Sequence, residues 1–242
     1  MIKVLVNFIG NEVICGSRKF DLIKMICIRL KSIEYTMYLP EQFEENRTEV
    51  LIDFIQSHAL ACLIVHANGE LEANHLPFEY DADQHVLLAH IAKKNPLYQL
   101  LQQPQQALVV FTINDAYVSP NWYEGKFEHH RTVPTWNYVV IHVKGEVSLI
   151  EDEKALRGIL AKLTRHHEAQ QEKPWKMGDA PSDYIQDQLQ QIVGVQIEIQ
   201  NLIGKFKLSQ NRSEQDIRNV ASAYQQNGQS QLSELMLKAL NE

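Results

Sequence analysis

Runs that alternate between apolar and polar residues at every second position most constrain the fold of this 242-residue chain. Such alternation is typical of half-buried β-strands, because successive side chains point to opposite faces of a sheet. Asn68-Gly69 joins two of these runs, and this dipeptide is the strongest two-residue signal for a hairpin. Six or more antiparallel strands with few helices favour a closed barrel over a doubly wound sheet. The runs are 61–66, 70–80, 85–91, 107–113, 136–150 and 192–208.

The segments between these runs complete the predicted order of elements. The first three runs predict a continuous antiparallel meander, with Asp81-Ala82-Asp83 as one of its turns. The chain from Met37 predicts an extended arm, followed by an amphipathic helix. Helices are predicted over 41–56, 89–101, 151–171 and 183–190, and two more over the last thirty residues, on either side of Asn227-Gly228.

Composition bounds the class of protein. The chain is 45% hydrophobic, which suffices for one large core or two modest ones, and its net charge is −7. That charge disfavours unspecific binding to nucleic acid or to an anionic membrane, and no run of 18 apolar residues predicts a membrane span. Cys15, Cys27 and Cys62 show neither metal-site spacing nor a disulfide framework, so we expect a reducing, cytoplasmic location.

Residues 1–36 differ in charge from the rest of the chain. They carry six basic and three acidic residues, whereas residues 37–242 carry 17 basic and 27 acidic residues, a net charge of −10. Lys19, Asp21 and Lys24 interrupt any apolar block that a signal peptide would need. Two interpretations remain: a strand–helix extension, or translated upstream sequence with Met37 as the natural start.

An aromatic stretch at residues 116–145 is the first candidate for a functional surface. Tyr117, Trp122, Tyr123, Trp136 and Tyr138 lie within twenty-two residues. Exposed aromatic area is normally buried or used in binding. The stretch is therefore either a long loop that packs on its own barrel or the wall of a pocket for a flat ligand.

Donors and positive charge accumulate where two predicted strands meet a predicted helix start. The residues are Asn74, His75, His90, Lys93, Lys94 and Asn95. A helix N-terminus favours a bound phosphate, and the aromatic stretch is able to flank a planar ring. Together these features fit a flavin mononucleotide (FMN) site. Dinucleotide and phosphate-loop motifs are absent, and adjacent histidine pairs point in different directions, so no metal site is predicted.

Six segments, in this order, resemble the PaiB family, whose members are FMN-binding negative transcriptional regulators. YVSPxWY followed by VPTWNY is a specific combination, and the resemblance extends from Met37 to the end of the chain. It favours Met37 as the natural start, since family members begin with a similar motif. The segments are MYLPEQF at 37–43, ANHLPF at 73–78, LLAHIAKKNP at 87–96, AYVSPNWY at 116–123, VPTWNY at 133–138 and IEIQNLIGKFKLSQN at 197–211.

The resemblance implies an FMN-binding split barrel, similar to pyridoxine-phosphate oxidases and flavin reductases. It further implies a homodimer with FMN at the subunit interface. His75 would line the flavin, the 90–95 segment would hold phosphate, and residues 135–137 would approach from the partner subunit. Lys205 and Lys207 either contact phosphate or simply flank a strand. The cofactor-binding residues implied are His75, His90, Lys93, Asn95, Tyr117, Ser119, Trp122, Thr135, Trp136 and Asn137.

Three other functions stay open from the sequence. The chain is alternatively an FMN-dependent reductase or oxidase of a small molecule, although no catalytic acid or base is evident. A haem-binding split barrel is the next alternative, since the chain has ten histidines. Direct DNA binding is doubtful, because no helix-turn-helix with a basic recognition helix is visible and residues 37–242 are acidic. A salt-dependent, sequence-selective gel shift would be needed to keep a DNA-binding repressor under consideration.

Overall fold

The computed structural model describes residues 7–9, 12–15, 18–21 and 37–241, and the chain divides into two compact units between Leu39 and Pro40. The first unit contains a three-stranded antiparallel sheet. Its strands are β1 (Asn7–Ile9), β2 (Glu12–Cys15) and β3 (Arg18–Asp21). The helix in the strand–helix interpretation of this segment lies outside the described residues.

The second unit contains eight strands and seven helices within residues 40–241. Three short 3-10 helices, Glu41–Phe43, Pro120–Trp122 and Met177–Asp179, lie between them. The strands are β4 (Glu44–Glu45), β5 (Leu60–Ala67), β6 (Glu70–Pro77), β7 (Glu79–Asp81), β8 (Val86–Ala92), β9 (Gln105–Val118), β10 (Thr135–Ile150) and β11 (Ile192–Lys207). The helices are α1 (Thr48–Ser57), α2 (Leu97–Leu100), α3 (Gly125–His129), α4 (Glu153–Glu168), α5 (Ser182–Gln190), α6 (Glu214–Gln226) and α7 (Ser230–Asn241).

All pairings in this sheet are antiparallel, and the strand order is β6-β5-β9-β10-β11-β8-β7, with β4 paired to β11. The Asn68-Gly69 hairpin is confirmed: both residues have positive φ, which glycine and asparagine tolerate best. The continuous meander is wrong. β6 pairs with β5, whereas β8 pairs with β11 near the opposite end of the strand order. Local alternation identifies strands but carries no information about such distant partners.

The sheet curls, so that elements far apart in the strand order meet. Asn95, just after β8, donates a hydrogen bond from Nδ2 to Oδ1 of Asn74 on β6, at 2.9 Å. The inward side chains of the strands form the core, among them the fully buried Leu63, Val109 and Ile141. This curled antiparallel half-barrel with flanking helices confirms the split-barrel prediction.

Two predicted helices differ from the structure. Residues 41–47 form a 3-10 turn and a short strand, and the helix begins only at Thr48. Residues 89–92 belong to β8, and the helix after them has only four residues. Alanine and lysine favour a helix locally, but pairing of β8 with β11 buries Leu87, Ala89 and Ile91 and overrides that preference.

Helix α4 packs on the outer side of β7 and β8 and is anchored there by charge. Ile159 and Leu163 pack against Val86 and Leu88. Lys162 Nζ forms an ion pair with Oδ2 of the buried Asp81. The other carboxylate oxygen of Asp81 accepts from the backbone N–H groups of Asp83 and Gln84, at 3.1 and 3.2 Å, which confirms the predicted turn. None of the helices within residues 37–241 combines the length and apolar character needed to cross a membrane.

We expect Asp81→Asn to lower the free energy of unfolding by about 1–3 kcal/mol at neutral pH, since it removes a charge-assisted bond. The hydrogen bond from Lys162 holds the pKa of Asp81 below its usual value. Because the pKa of Asp81 is lower in the folded than in the unfolded protein, its ionised carboxylate stabilises the fold at pH values above the unfolded-state pKa. The difference in unfolding free energy between the variant and the unsubstituted protein should therefore shrink as the pH falls below about 4. Urea denaturation at pH 7 and pH 3 measures this effect. Asp83→Asn, at an exposed turn position, is the matched control.

Candidate functional site

One outward face of the sheet carries a patch of half-buried, mainly apolar residues, with Lys144 and Lys205 beside it. We call it the exposed sheet face. It is defined by alternate residues of β5, β9, β10 and β11, each only half-buried, opposite to the residues that fill the core. The residues are Cys62, Ile64, Leu108, Val110, Val140, His142 and Ile203.

The central row of this face runs across five strands. His75 on β6 is in register with Cys62, Cys62 with Val110, Val110 with His142, and His142 with Ile203. Burial lowers the pKa of His142, and the positive charges of Lys144 and Lys205 lower it further. His142 is therefore held in the neutral form near pH 7, which suits an apolar contact surface.

At one end of the face, the two ends of the aromatic stretch form paired strands, and residues 119–134 connect them. Tyr117 on β9 is in register with Trp136 on β10, and their rings make an edge-to-face contact with centroids 5.9 Å apart. The two side chains are 44% and 51% exposed, respectively. This much exposed, preorganised aromatic surface is available to contact a planar ring.

A lysine lies directly beside this aromatic pair. Lys207 Nζ donates to Thr135 Oγ1 at 2.7 Å and to the carbonyl oxygen of Trp136, and lies 5.9 Å from the ring centroid of Tyr138. Burial lowers the pKa of Lys207, and the charges of Lys205 and Arg212 act in the same direction. We call Tyr117, Thr135, Trp136, Tyr138 and Lys207 the aromatic cluster.

Lys207 is the cation of the aromatic cluster. Within residues 37–241, no carboxylate forms an ion pair with Lys207. A partly desolvated ammonium group without a carboxylate partner favours a bound anion or an electron-rich group.

Three other predicted site residues have structural contacts. Asn137 is completely buried: its Oδ1 accepts from Ser209 Oγ at 3.0 Å, and its Nδ2 faces Met236 Sδ at 3.5 Å. Ser119 caps the 3-10 helix that follows it, and Trp122 packs edge-to-face on Tyr224. Their assignment as flavin contacts stays a prediction, and these contacts supply a structural role for each.

The remaining predicted residues lie at the turn between β8 and α2. Lys93 is exposed, and Asn95 links the turn to Asn74, the neighbour of His75 on β6. His90 is in register with Gly194 of β11 and is half-buried. Its Nδ1 is buried with no hydrogen-bond partner among the described residues, and burial lowers its pKa. We call Asn74, His90, Lys93 and Asn95 the turn cluster; His75 lies on the other face of β6 from Asn74, in the central row of the exposed sheet face.

The sequence predicts a helix N-terminus that could bind a phosphate here. In the structure, however, most backbone N–H groups of this turn already have hydrogen-bond partners. The backbone N–H of Lys93 donates to Gln191 and that of Asn95 to Ala92. The N–H of Leu97 donates to Asn95 Oδ1, and Pro96 has no N–H. The charged donors in this region are the exposed ammonium groups of Lys93 and Lys94.

The two clusters lie towards opposite ends of β11 in one protomer. His90 of the turn cluster pairs with Gly194, whereas Tyr138 of the aromatic cluster pairs with Lys207. These partners are thirteen residues apart, roughly 40 Å along the path of the strand. The structure therefore separates His90, Lys93 and Asn95 from Tyr117, Thr135 and Trp136 instead of bringing them into one pocket.

These residues suit a flavin in chemical type. The exposed Tyr117–Trp136 pair offers a surface for an isoalloxazine ring, and Lys93 supplies a cation for a phosphate. The buried, unpartnered Nδ1 of His90 is an available hydrogen-bonding atom. Sequence reasoning left Lys207 undecided and did not assign Tyr138. The available signal was the alternation in GKFKL. It places Lys205 and Lys207 on the same face of β11, where Lys207 is in register with Tyr138 of β10.

A curled antiparallel sheet with helices on its outer side defines the chain as a split barrel. Two solved structures share this fold. The FAD and haem binding protein from Mycobacterium smegmatis is 19% identical, with a TM-score of 0.55, over 72% of this chain and 78% of that chain. A conserved hypothetical protein, Rv2991 from Mycobacterium tuberculosis, is 11% identical, with a TM-score of 0.53, over 74% and 95% of the two chains.

The sequence places the chain within a family. Residues 37–201 match the family described as "Putative FMN-binding domain", and the chain belongs to that family. It is also 28% identical, over 191 residues, to the protease synthase and sporulation protein PAI 2 of Bacillus subtilis. That alignment covers 78% of this chain and 89% of the Bacillus protein. The PaiB resemblance is thereby confirmed.

Proposed function

We propose that the protein is a homodimer that binds FMN between its two subunits. The observation that carries this proposal is the division of the candidate residues into two clusters at opposite ends of β11, joined by an apolar sheet face. A two-fold dimer formed through the exposed sheet face is able to set the turn cluster of one subunit beside the aromatic cluster of the other. Each of the two sites would then be complete only in the dimer.

Within each site, the chain's own residues have separate tasks. Tyr117 and Trp136 would flank the ring, and the side chains of the turn cluster would hold the phosphate. Lys207 would face the electron-rich edge of the ring, where its charge favours the reduced form. FMN, when bound, supplies redox chemistry; the protein positions it, excludes water and tunes its charge.

A regulatory role of the PaiB type belongs to the same proposal. We place it in the flavin rather than in direct DNA contact. The terminal helices α6 and α7 offer no basic face: Arg218 is paired with Glu214 at 2.8 Å, and Lys238 follows Glu234 on the same helix. The cytoplasm is the location we propose, and the free thiol of Cys62 fits a reducing compartment.

We expect purified protein to retain FMN through gel filtration and to bind FMN more tightly than riboflavin, which lacks the phosphate. Lys93→Met should remove most of that preference, about tenfold, because a charge-assisted bond to phosphate is lost. Riboflavin affinity should change little. Quenching of flavin fluorescence during titration measures both ligands.

Lys154→Met is the matched control, since Lys154 lies in the first turn of α4 and outside both clusters. It should leave both affinities unchanged. Equal loss of FMN and riboflavin affinity in Lys93→Met would contradict the phosphate assignment. A Soret band after addition of haem, without uptake of FMN, would contradict the choice of cofactor.

A further inference from the structure

A cleft lies on the outer side of the barrel, where the loop after α4 folds back over that helix. It has two lobes of about 480 and 300 Å³, which share Thr164, Trp175 and Met177. Volumes of this size are typical of small-molecule sites. None of the residues predicted to bind FMN lines either lobe.

The walls of the cleft are mainly apolar. One face of α4 forms the floor of the larger lobe, through Ala161, Thr164 and Ala169, and Pro174 and Trp175 cover it. The smaller lobe continues over Leu160 and the buried Leu189 to Ile192 of β11. Trp175 is 43% exposed, so one part of its indole surface faces the open cleft.

The loop is held in place without using the aromatic surface. The backbone N–H of Trp175 donates to Glu168 Oε2 at 2.9 Å, and that of Lys176 to Asp179 Oδ2 at 2.9 Å. The loop is therefore fixed through its backbone, while the indole of Trp175 and the thioether of Met177 stay available. Both groups contact aromatic rings favourably.

Charge at the rim of the larger lobe is positive. Arg165 and Lys176 line it, against the single carboxylate of Glu168, which already accepts the bond from Trp175. Along residues 37–241, no carboxylate forms an ion pair with the Arg165 guanidinium. An aromatic anion has a ring that suits the exposed indole and a charged group that suits a guanidinium without an internal partner.

We propose that this cleft is a binding site for a small planar aromatic carboxylate. Its ring lies against Trp175 and Met177, and its carboxylate pairs with Arg165. We infer the aromatic ring of the ligand from the apolar walls, and its negative charge from the unpaired cation at the rim. The site does not depend on flavin, because it shares no residue with the turn cluster or the aromatic cluster.

The test uses 1-naphthoate and its neutral analogue 1-naphthamide as probes in calorimetric titrations of the full-length protein. 1-Naphthoate should bind about tenfold more tightly than 1-naphthamide, the gain expected of a charge-assisted pair. Arg165→Gln should remove this preference. Trp175→Ala should weaken both probes about tenfold, whereas Trp175→Phe, which keeps a ring, should weaken them less.

Two controls separate this site from other surfaces. Lys154→Gln removes a charge from the same helix outside the cleft, and Trp136→Ala removes the proposed flavin wall; neither should change naphthoate binding. Equal affinity for the two probes, or affinities that Trp175→Ala leaves unchanged, would overturn the proposal. So would the absence of binding at millimolar naphthoate, or a loss of binding caused by Trp136→Ala.

Discussion

Val110→Asp is expected to convert the protein into a monomer and to lower its affinity for FMN by more than about a hundredfold, since buried unpaired charges cost several kcal/mol. Val110 lies at the centre of the exposed sheet face, between Cys62 and His142. In a two-fold dimer the substitution enters the interface from both subunits. The half-buried position in the protomer lets a monomeric variant fold.

Sedimentation velocity and flavin titration together measure this result, and circular dichroism verifies the fold. Val110→Thr is the matched control, because it keeps the β-branched shape without adding charge. We expect it to remain dimeric and to bind FMN with near-normal affinity. A Val110→Asp variant that stays dimeric and binds FMN normally would show that another surface joins the subunits.

The neutral state of His142 bears on the same interface. Its pKa is lowered by burial and by Lys144 and Lys205, so protonation near neutral pH is disfavoured. An apolar row that contained a charged imidazole would have to desolvate that charge on association. In the proposed dimer, a neutral His142 would avoid this desolvation cost at neutral pH.

The strands were predictable because each carries its own alternation. The two long strands β9 and β10 show this clearly: Val109 and Ile141 are fully buried, and their neighbours Val110 and His142 face outward. The partners of the strands were not predictable in the same way. The local sequence of β8 does not indicate that this strand pairs with β11, which lies a hundred residues further along the chain.

The errors at the candidate site have the same origin. The predicted strand 85–91 and the predicted helix 89–101 overlap, and long-range pairing with β11 decides that residues 89–92 form a strand. The strand predicted over 107–113 in fact continues to Val118, so Tyr117 pairs with Trp136, at the predicted start of the next strand. Their edge-to-face contact follows from register, which sequence alone does not give.

The cleft over α4 illustrates a third kind of limit. The sequence marked Trp175 as part of a loop, and the charged helix before it was expected. That the loop returns over the same helix depends on the bond from its backbone to Glu168, seven residues earlier. A backbone contact of this kind leaves no pattern in the side chains.

The second large effect is expected from mixing two defective variants. Lys93→Glu damages the turn cluster by reversing a charge. The double variant Trp136→Ala, Lys207→Met damages the aromatic cluster by removing a ring and a cation. Each variant alone should lose FMN affinity by about a hundredfold. If every site takes one cluster from each subunit, a heterodimer of the two contains one intact site and one doubly damaged site. Random exchange at equal concentrations should therefore restore about a quarter of all sites. Flavin titration after mild unfolding and joint refolding measures this fraction, with each variant refolded alone as the control. Sites built within a single subunit would all remain damaged, so a mixture that recovers no FMN binding would contradict the shared site even if the protein is a dimer.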